Sequence, residues 1–121
     1  LIKQLGIENN AVCMDWQERV EDYLQAMDIF CLPSHFEGLS ICAVEAQAAG
    51  LKCYVSDTLS EETAVTDLVE FLPLQEEQWE HVLTEARISA DREQMDAQIA
   101  RQGYDIRTAA DNLMNLYGNN V

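Results

Sequence analysis

Apolar positions first recur at helical spacing and then fill a short continuous run in the first third of the chain. Between Gln17 and Met27, apolar residues three and four positions apart predict an amphipathic helix. Its apolar positions are Val20, Tyr23, Leu24 and Met27. Residues 29–32 are apolar throughout, which is typical of a central parallel strand covered on both faces, and Pro33 ends the run.

Other short apolar runs predict strands at residues 11–14, 53–55 and 68–72. An Ala-rich segment at residues 39–49 predicts a helix, with Gly50 as its C-terminal cap. Because the predicted strands alternate with helices, the expected fold class is α/β, a Rossmann-like parallel sheet with flanking helices.

The chain beyond Pro73 has helical periodicity and no strand pattern. Helices are predicted at residues 78–87 and 89–102, and Asp105 is placed to cap a third. We therefore expect an all-helical C-terminal end that wraps around one edge of the sheet, with Tyr117 docking the last helix.

Length and composition describe a globular chain. With 121 residues, 48% hydrophobic and 24% charged, it is one domain or part of one. No apolar run approaches the length of a membrane span, and the first residues lack the pattern of a signal peptide. The chain begins at Leu1 without an initiator Met, so we expect a segment of a longer protein.

The charge balance restricts the classes of ligand. Seven Lys and Arg residues against 22 Asp and Glu residues give a net charge of -15, so nucleic acid is excluded as a partner and an anionic membrane surface would repel the chain. A phosphate-bearing ligand must instead be held by local geometry, such as a helix N-terminus.

The four cysteines show no metal-binding spacing. They are Cys13, Cys31, Cys42 and Cys53, with no C-x-x-C pair among them, so no metal site is predicted. We expect reduced, buried thiols of a cytosolic protein.

The segment from Ser34 to Ser40 carries the candidate chemistry. It follows a predicted strand and precedes a predicted helix, the place where ligands bind in open α/β sheets. The helix N-terminus offers backbone N–H groups and the positive end of the helix dipole, which suit a diphosphate. Gly38 removes a side chain that would block close approach. His35 either lines the same pocket or lies exposed in the loop.

Two carboxylates, Glu37 and Glu45, flank this point eight positions apart. That spacing is about 12 Å along a helix axis, longer than the roughly 5–9.5 Å between the paired carboxyls that act on one glycosidic bond. It suits the two ends of an elongated ligand such as a nucleotide sugar, with Glu37 accepting hydrogen bonds from sugar hydroxyls and Glu45 from ribose hydroxyls. The alternatives are a charge–dipole contact for Glu37 and a solvated face position for Glu45.

Residues 32–51 closely resemble the donor-binding region of the group-1 (family 4) retaining glycosyltransferases. The shared elements are a strand ending in Pro33-Ser34, the pair Glu37-Gly38, and a second glutamate, Glu45, that opens Glu-Ala-x-Ala-x-Gly. Similar stretches elsewhere in the chain extend the resemblance, especially to enzymes of bacterial capsule and exopolysaccharide biosynthesis.

The resemblance implies the C-terminal, donor-binding domain of a GT-B enzyme, in which two Rossmann-like domains face each other across a cleft. Glu37 matches the catalytic glutamate beside the anomeric carbon of the donor sugar, and Glu45 matches the ribose-binding glutamate. The backbone at Gly38, Leu39 and Ser40 matches the segment that meets the sugar and the diphosphate. The implied enzyme uses no metal or other cofactor, and transfers a sugar from a nucleotide-sugar donor, expected to be a UDP-sugar, to a polysaccharide or lipid-linked acceptor.

The resemblance also implies missing parts. Residues 1–121 match part of the donor domain, and the acceptor domain, the first strands and the basic residues that bind the diphosphate lie upstream. In the strand order of the family's sheet, the missing strands lie between the strand at residues 11–14 and the strand at residues 29–32. We therefore expect exposed strand edges, a strand-edge homodimer and no transferase activity from this segment alone. The expected location of the whole enzyme is the cytoplasm, including the inner face of the membrane.

Two positions depart from the family pattern. Lys52 stands where the family usually has Pro, and Ser40 where Pro or Gly is frequent, but neither change removes a needed functional group. The alternative function is a non-catalytic α/β binding or interaction module that kept the fold and lost transfer. A dinucleotide-binding dehydrogenase domain is disfavoured because no G-x-G-x-x-G follows a predicted strand.

Overall fold

The computed structural model describes residues 1–86, 92 and 95–118. In chain order its elements are α1 (Ile2–Leu5), α2 (Val20–Ala26), β1 (Ile29–Leu32), α3 (Ile41–Ala48), β2 (Lys52–Ser56), a 3-10 turn (Glu61–Thr63), β3 (Val69–Leu72), α4 (Glu76–Glu85), α5 (Met95–Ile99), a π-helical turn (Ala100–Tyr104) and α6 (Ile106–Gly118). The predicted α/β class, with parallel strands, flanking helices and a helical C-terminal end, is confirmed.

The described strands form one parallel sheet in the order β1-β2-β3. Phe30 lies opposite Cys53, and Val55 lies opposite Phe71, in the two strand registers. Because all strands run the same way, their carboxyl ends share one edge of the sheet. The prediction of a central strand at residues 29–32 is wrong for the described sheet, since β1 is an edge strand and its Cys31 is exposed.

Helix α3 and strand β2 supply much of the core. Ala43, Ala46, Cys53 and Val55 belong to one cluster of buried residues, each 0% exposed. The small alanine side chains let the helix approach the sheet closely. The helix ends before Gly50, which has a φ of 74° in the left-handed region, so the predicted glycine cap is confirmed.

Residues 11–14 form no strand, contrary to the sequence prediction. Val12 is 85% exposed and Met14 is 49% exposed. A strand needs a neighbour to satisfy its backbone hydrogen-bonding groups, and none of the strands in the described part of the chain pairs with this run.

Helix α6 begins as predicted but remains on the surface of the described structure. Asp105 Oδ1 accepts a hydrogen bond of 2.8 Å from the Thr108 backbone N–H, and hydrogen bonding from Thr108 lowers the pKa of Asp105. None of the helix residues is buried, and Tyr117 is 68% exposed. Helical periodicity identifies the apolar face of a helix but does not supply a surface to cover it.

The helices predicted at residues 78–87 and 89–102 correspond in part to α4 and α5. Helix α5 continues into the π-helical turn, where Gly103 has a φ of 95° and kinks the chain before α6. Residues 87–91 and 93–94 of these two predictions lie outside the described residues.

The cysteines are not joined by disulfides, and they differ in exposure. Cys53 is buried, whereas Cys13, Cys31 and Cys42 are exposed, so the prediction of buried thiols is right for Cys53 alone. Burial raises the pKa of Cys53 to about 12.

Candidate functional site

The loop between β1 and α3, residues 33–40, lies at the carboxyl edge of the sheet. Strand β2 reaches the same edge at Ser56. The structure therefore places the predicted segment where ligand sites of open α/β sheets occur. Four of the predicted site residues are exposed in this loop: His35, Glu37, Gly38 and Leu39.

Side-chain hydroxyls hold the start of this loop. The Ser34 carbonyl accepts hydrogen bonds from Ser56 Oγ and, at 2.9 Å, from Thr58 Oγ1. The Ser34 hydroxyl faces the other way, 3.2 Å from the Phe36 carbonyl oxygen and 3.4 Å from Glu37 Oε1. Sequence reasoning missed Ser56 and Thr58 because they lie more than twenty positions from Ser34 in the chain.

The N-terminus of α3 lies directly after Glu37 and Gly38. Ser40 occupies the N-cap position and is 2% exposed, but its side chain caps no helix amide and instead contacts Cys42 Sγ at 3.1 Å. The first turn contains no acidic residue. The backbone N–H groups of residues 41–43 thus keep the orphan donors and positive dipole end that favour an anion.

Glu45 lies on the exposed face of α3 and borders a cavity between α2 and α3. The cavity has a volume of about 310 Å³, within the lower range of small-molecule sites. Its lining residues are Val20, Glu21, Leu24, Gln25, Glu45, Ala48 and Ala49. Glu37 does not line this cavity. The two glutamates therefore do not share this pocket: Glu37 lies in the loop before α3, and Glu45 lies within the helix.

Both glutamates keep their carboxylates available to a ligand. Glu37 and Glu45 are exposed, and the ion pairs found among the described residues involve neither of them. A carboxylate in this state offers hydrogen-bond acceptors only, which match the hydroxyl groups of a sugar or a ribose.

The two departures from the family pattern have structural explanations. Lys52 Nζ lies 3.1 Å from Glu70 Oε2 on the neighbouring strand and 5.6 Å from the centre of the Tyr54 ring, so the side chain bridges β2 and β3. Ser40 is a buried N-cap residue whose φ of -81° is available to many residue types.

Gln47, which the sequence analysis did not single out, ties the back of α3 to the loop after the 3-10 turn. The side chain is 0% exposed. Its Nε2 donates to the carbonyls of Ala43 at 3.0 Å and Thr63 at 2.8 Å. Its Oε1 accepts from the Val65 and Thr66 backbone N–H groups at 3.0 and 2.9 Å and from the Thr66 hydroxyl at 3.0 Å. The sequence feature that could have identified Gln47 is its position as a polar residue on the apolar face of a helix.

The described residues contain no group of three or more His, Cys, Asp or Glu side chains placed to hold a metal ion. Among the described helices, none has both the length and the apolar character that crossing a bilayer requires.

Comparison with known proteins identifies the family to which the chain is similar. The sequence profile of the family described as glycosyl transferases group 1 matches residues 1–104. EpsF of Bacillus subtilis (strain 168), which is named as a glycosyltransferase, is 32% identical over 120 residues, a match that covers 95% of this chain and 31% of EpsF. An Escherichia coli enzyme, UDP-Gal:alpha-D-GlcNAc-diphosphoundecaprenol alpha-1,3-galactosyltransferase, is 34% identical over 53 residues, or 44% of this chain and 14% of that enzyme. No solved structure matches the chain significantly.

The fold and the site define an α/β unit with a glycine-containing strand-end loop in front of an open helix N-terminus. Since the family profile covers most of the chain, the chain belongs to the group-1 glycosyltransferase family. It spans about 31% of the length of EpsF.

Proposed function

We propose that this chain is the donor-binding part of a retaining glycosyltransferase that moves a sugar from a nucleotide sugar to a growing polysaccharide or a lipid-linked acceptor. The observation that carries the proposal is the order of groups along one helix. Exposed Glu37 and Gly38 precede an N-terminus without an acidic residue or a side-chain cap, and exposed Glu45 follows on the same helix.

Each of these groups has a role in holding the donor. Glu37 accepts hydrogen bonds from the hydroxyls of the donor sugar and acts as the catalytic residue beside its anomeric carbon. The backbone at Gly38, Leu39 and Ser40, with the first amides of α3, holds the sugar end and the diphosphate. Glu45 accepts hydrogen bonds from the ribose hydroxyls.

Two further features support a nucleoside beside Glu45 and a sugar beside Glu37. The cavity that Glu45 borders is lined by apolar Val20 and Leu24 as well as by polar groups, a combination that suits a base and its ribose. His35 is exposed near Glu37 in the chain, and in this proposal it would line the sugar pocket. The name of the Escherichia coli relative includes a UDP-sugar, which favours a UDP-sugar donor here.

The proposed transfer step is the one that the resemblance to retaining glycosyltransferases implies. The bond between the anomeric carbon and the diphosphate oxygen breaks, and the acceptor oxygen bonds to the same face of that carbon. The acceptor proton passes to the leaving diphosphate, so no separate base is needed. The groups of this chain bind and orient the donor and stabilise charge as the bond breaks.

We propose that the whole enzyme has the GT-B architecture, with an acceptor domain, the remaining strands of the donor domain and basic diphosphate-binding residues upstream of Leu1. Among the described residues, no strand pairs with the outer edge of β1, and Val12 and Met14 are exposed. Both observations agree with absent neighbouring strands. Alone, the 121-residue chain would pair β1 edges into a homodimer and would not transfer sugar. The whole enzyme would act in the cytoplasm or at the inner face of the membrane, in capsule or exopolysaccharide synthesis.

Calorimetric titration of the full-length enzyme with UDP and with UDP-sugars tests the proposal. Glu45→Ala is expected to weaken UDP binding by about 1.5–3 kcal/mol, the usual contribution of hydrogen bonds to a charged group. The matched control is Glu80→Ala, an exposed glutamate on α4. Unchanged UDP affinity in Glu45→Ala would rule out the ribose role. Donor binding without any sugar transfer by the full-length enzyme would favour the non-catalytic module.

A further inference from the structure

The hydroxyl groups of Ser56 and Thr58 form a clamp on the backbone at Ser34. Ser56 ends β2, and Thr58 follows it, whereas Ser34 follows β1, so the clamp joins two neighbouring strand ends. Both hydroxyls donate to the same carbonyl oxygen of Ser34, and Ser56 Oγ lies 2.9 Å from Thr58 Oγ1. The two donors occupy both lone pairs of that oxygen, which is its full capacity.

The clamp constrains the loop more strongly than the hydrogen bond between the Ser34 side chain and Glu37 does. At 3.4 Å between the two oxygens, that contact exceeds the usual distance of an O–H···O hydrogen bond, and the single proton of the Ser34 hydroxyl is shared with the Phe36 carbonyl oxygen, which lies 3.2 Å from Ser34 Oγ. Ser56 is 0% exposed, so its hydroxyl is shielded from water and its hydrogen bond is not easily exchanged for one to solvent.

Glu37 lies halfway between two fixed points of the loop. One is the clamped carbonyl of Ser34, and the other is Ser40, which is 2% exposed. Between them, Phe36 is 91% exposed, and a Cβ placed on Gly38 would meet no atom within 4 Å. In the described part of the chain, no hydrogen bond from outside the loop reaches residues 35–39. The position of Glu37 therefore depends on the two ends of the loop.

We propose that Ser56 and Thr58 are positioning residues that fix Glu37 beside the donor sugar by clamping the Ser34 carbonyl. This inference rests on the proposed role of Glu37. Neither hydroxyl touches the donor itself. Their loss should lower the contribution of the sugar to donor binding and the rate of transfer, while UDP binding through Glu45 stays the same.

The test uses Thr58→Val in the full-length enzyme, which removes the hydroxyl and keeps the size of the side chain. Thr84→Val is the matched control, since its exposed hydroxyl also donates to a backbone carbonyl, that of Glu80 at 2.8 Å. The readouts are kcat, the affinity for UDP, and the ratio of UDP-sugar to UDP affinity. We expect Thr58→Val to lower kcat and that ratio by about two- to tenfold, the range of one net hydrogen bond, and Thr58→Ser to restore both.

A double-variant comparison separates this inference from the proposed function. If Glu37→Ala lowers the affinity ratio and Thr58→Val adds nothing in the Glu37→Ala background, the hydroxyl acts through Glu37 and the clamp is supported. If Glu37→Ala lowers the ratio but Thr58→Val does not, the clamp is wrong and the proposed function stands. If Thr58→Val lowers UDP affinity equally, its role is general structure and the inference fails. If Glu37→Ala changes neither kcat nor the ratio, the proposed function fails and the inference fails with it.

Discussion

Gln47 offers the sharpest test of how α3 is held in place. Replacing it with leucine keeps a side chain of similar volume at the site but removes the hydrogen bonds to the loop that follows the 3-10 turn. The Thr66 backbone N–H loses its partner at 2.9 Å and, buried with the rest of the network, has no replacement. The Val65 N–H still donates to the Thr63 carbonyl at 3.1 Å, so each of these groups loses one hydrogen bond but keeps another partner.

These contacts set the expected magnitude. One orphaned buried donor costs about 1–3 kcal/mol, and the lost hydrogen bonds to groups that keep another partner each cost about 0.5–1 kcal/mol. Four such hydrogen bonds are lost, to the Ala43 and Thr63 carbonyls, the Val65 N–H and the Thr66 hydroxyl. Gln47→Leu should therefore lower the free energy of unfolding by about 3–7 kcal/mol, a large part of the stability of a domain this size.

Urea unfolding followed by circular dichroism measures this loss. Gln78→Leu on α4 is the matched control, because Gln78 is exposed, and its stability should change by less than about 0.5 kcal/mol. Gln47→Glu separates hydrogen bonding from packing, since it keeps the volume but replaces the Nε2 amide nitrogen and its two N–H donors with a single oxygen that faces the Ala43 and Thr63 carbonyls. It should be strongly destabilised at neutral pH and less so as acid protonates its carboxyl. A loss below about 1 kcal/mol in both Gln47 variants would refute the reasoning.

Three further predictions concern glycine and cysteine positions. Gly50→Ala should cost more stability in urea unfolding than Gly6→Ala, because both glycines have a positive φ but a Cβ at Gly50 would also lie 2.9 Å from a neighbouring arginine, whereas Gly6 has open space; equal losses would contradict this. Burial raises the pKa of Cys53 from 9.0 to about 12, so at the pH values between these two the thiol is protonated in the folded state and ionised in the unfolded chain. Between those pH values the wild type should therefore lose about 1.4 kcal/mol of stability per pH unit relative to Cys53→Ala, and parallel pH profiles would count against it. A UDP-sugar should slow alkylation of exposed Cys42, beside the α3 N-terminus, but not that of exposed Cys13; equal protection in peptide mapping would exclude the proposed donor position.

The elements predicted well from sequence are those specified by local pattern. The strand at residues 29–32 and the small apolar face of α3 form as expected, although β1 lies at the edge of the described sheet and not at its centre. The run at residues 11–14 has the same pattern and forms no strand, because a strand also depends on a partner that local sequence cannot supply. The prediction that Tyr117 docks α6 is wrong for the same reason, since local sequence does not supply the surface on which the helix would pack.

The candidate site, too, was predicted from the sequence only in part. Its location followed from the order of strand, loop and helix, and the exposure of Glu37 and Glu45 agrees with the proposed roles. The groups that hold the site were not predicted. Thr58 meets Ser34 only through the pairing of β1 with β2, and Gln47 reaches Thr66 across a loop, so both contacts exist only in the folded chain.

A crystal structure of the full-length enzyme with a bound UDP-sugar tests the central claim most directly. We predict a Glu45 carboxylate oxygen within about 2.5–3.2 Å of a ribose hydroxyl, a Glu37 oxygen on a hydroxyl of the transferred sugar, and the diphosphate on the first amides of α3. A donor bound with its diphosphate away from that helix N-terminus, or with neither glutamate in contact, would contradict the account.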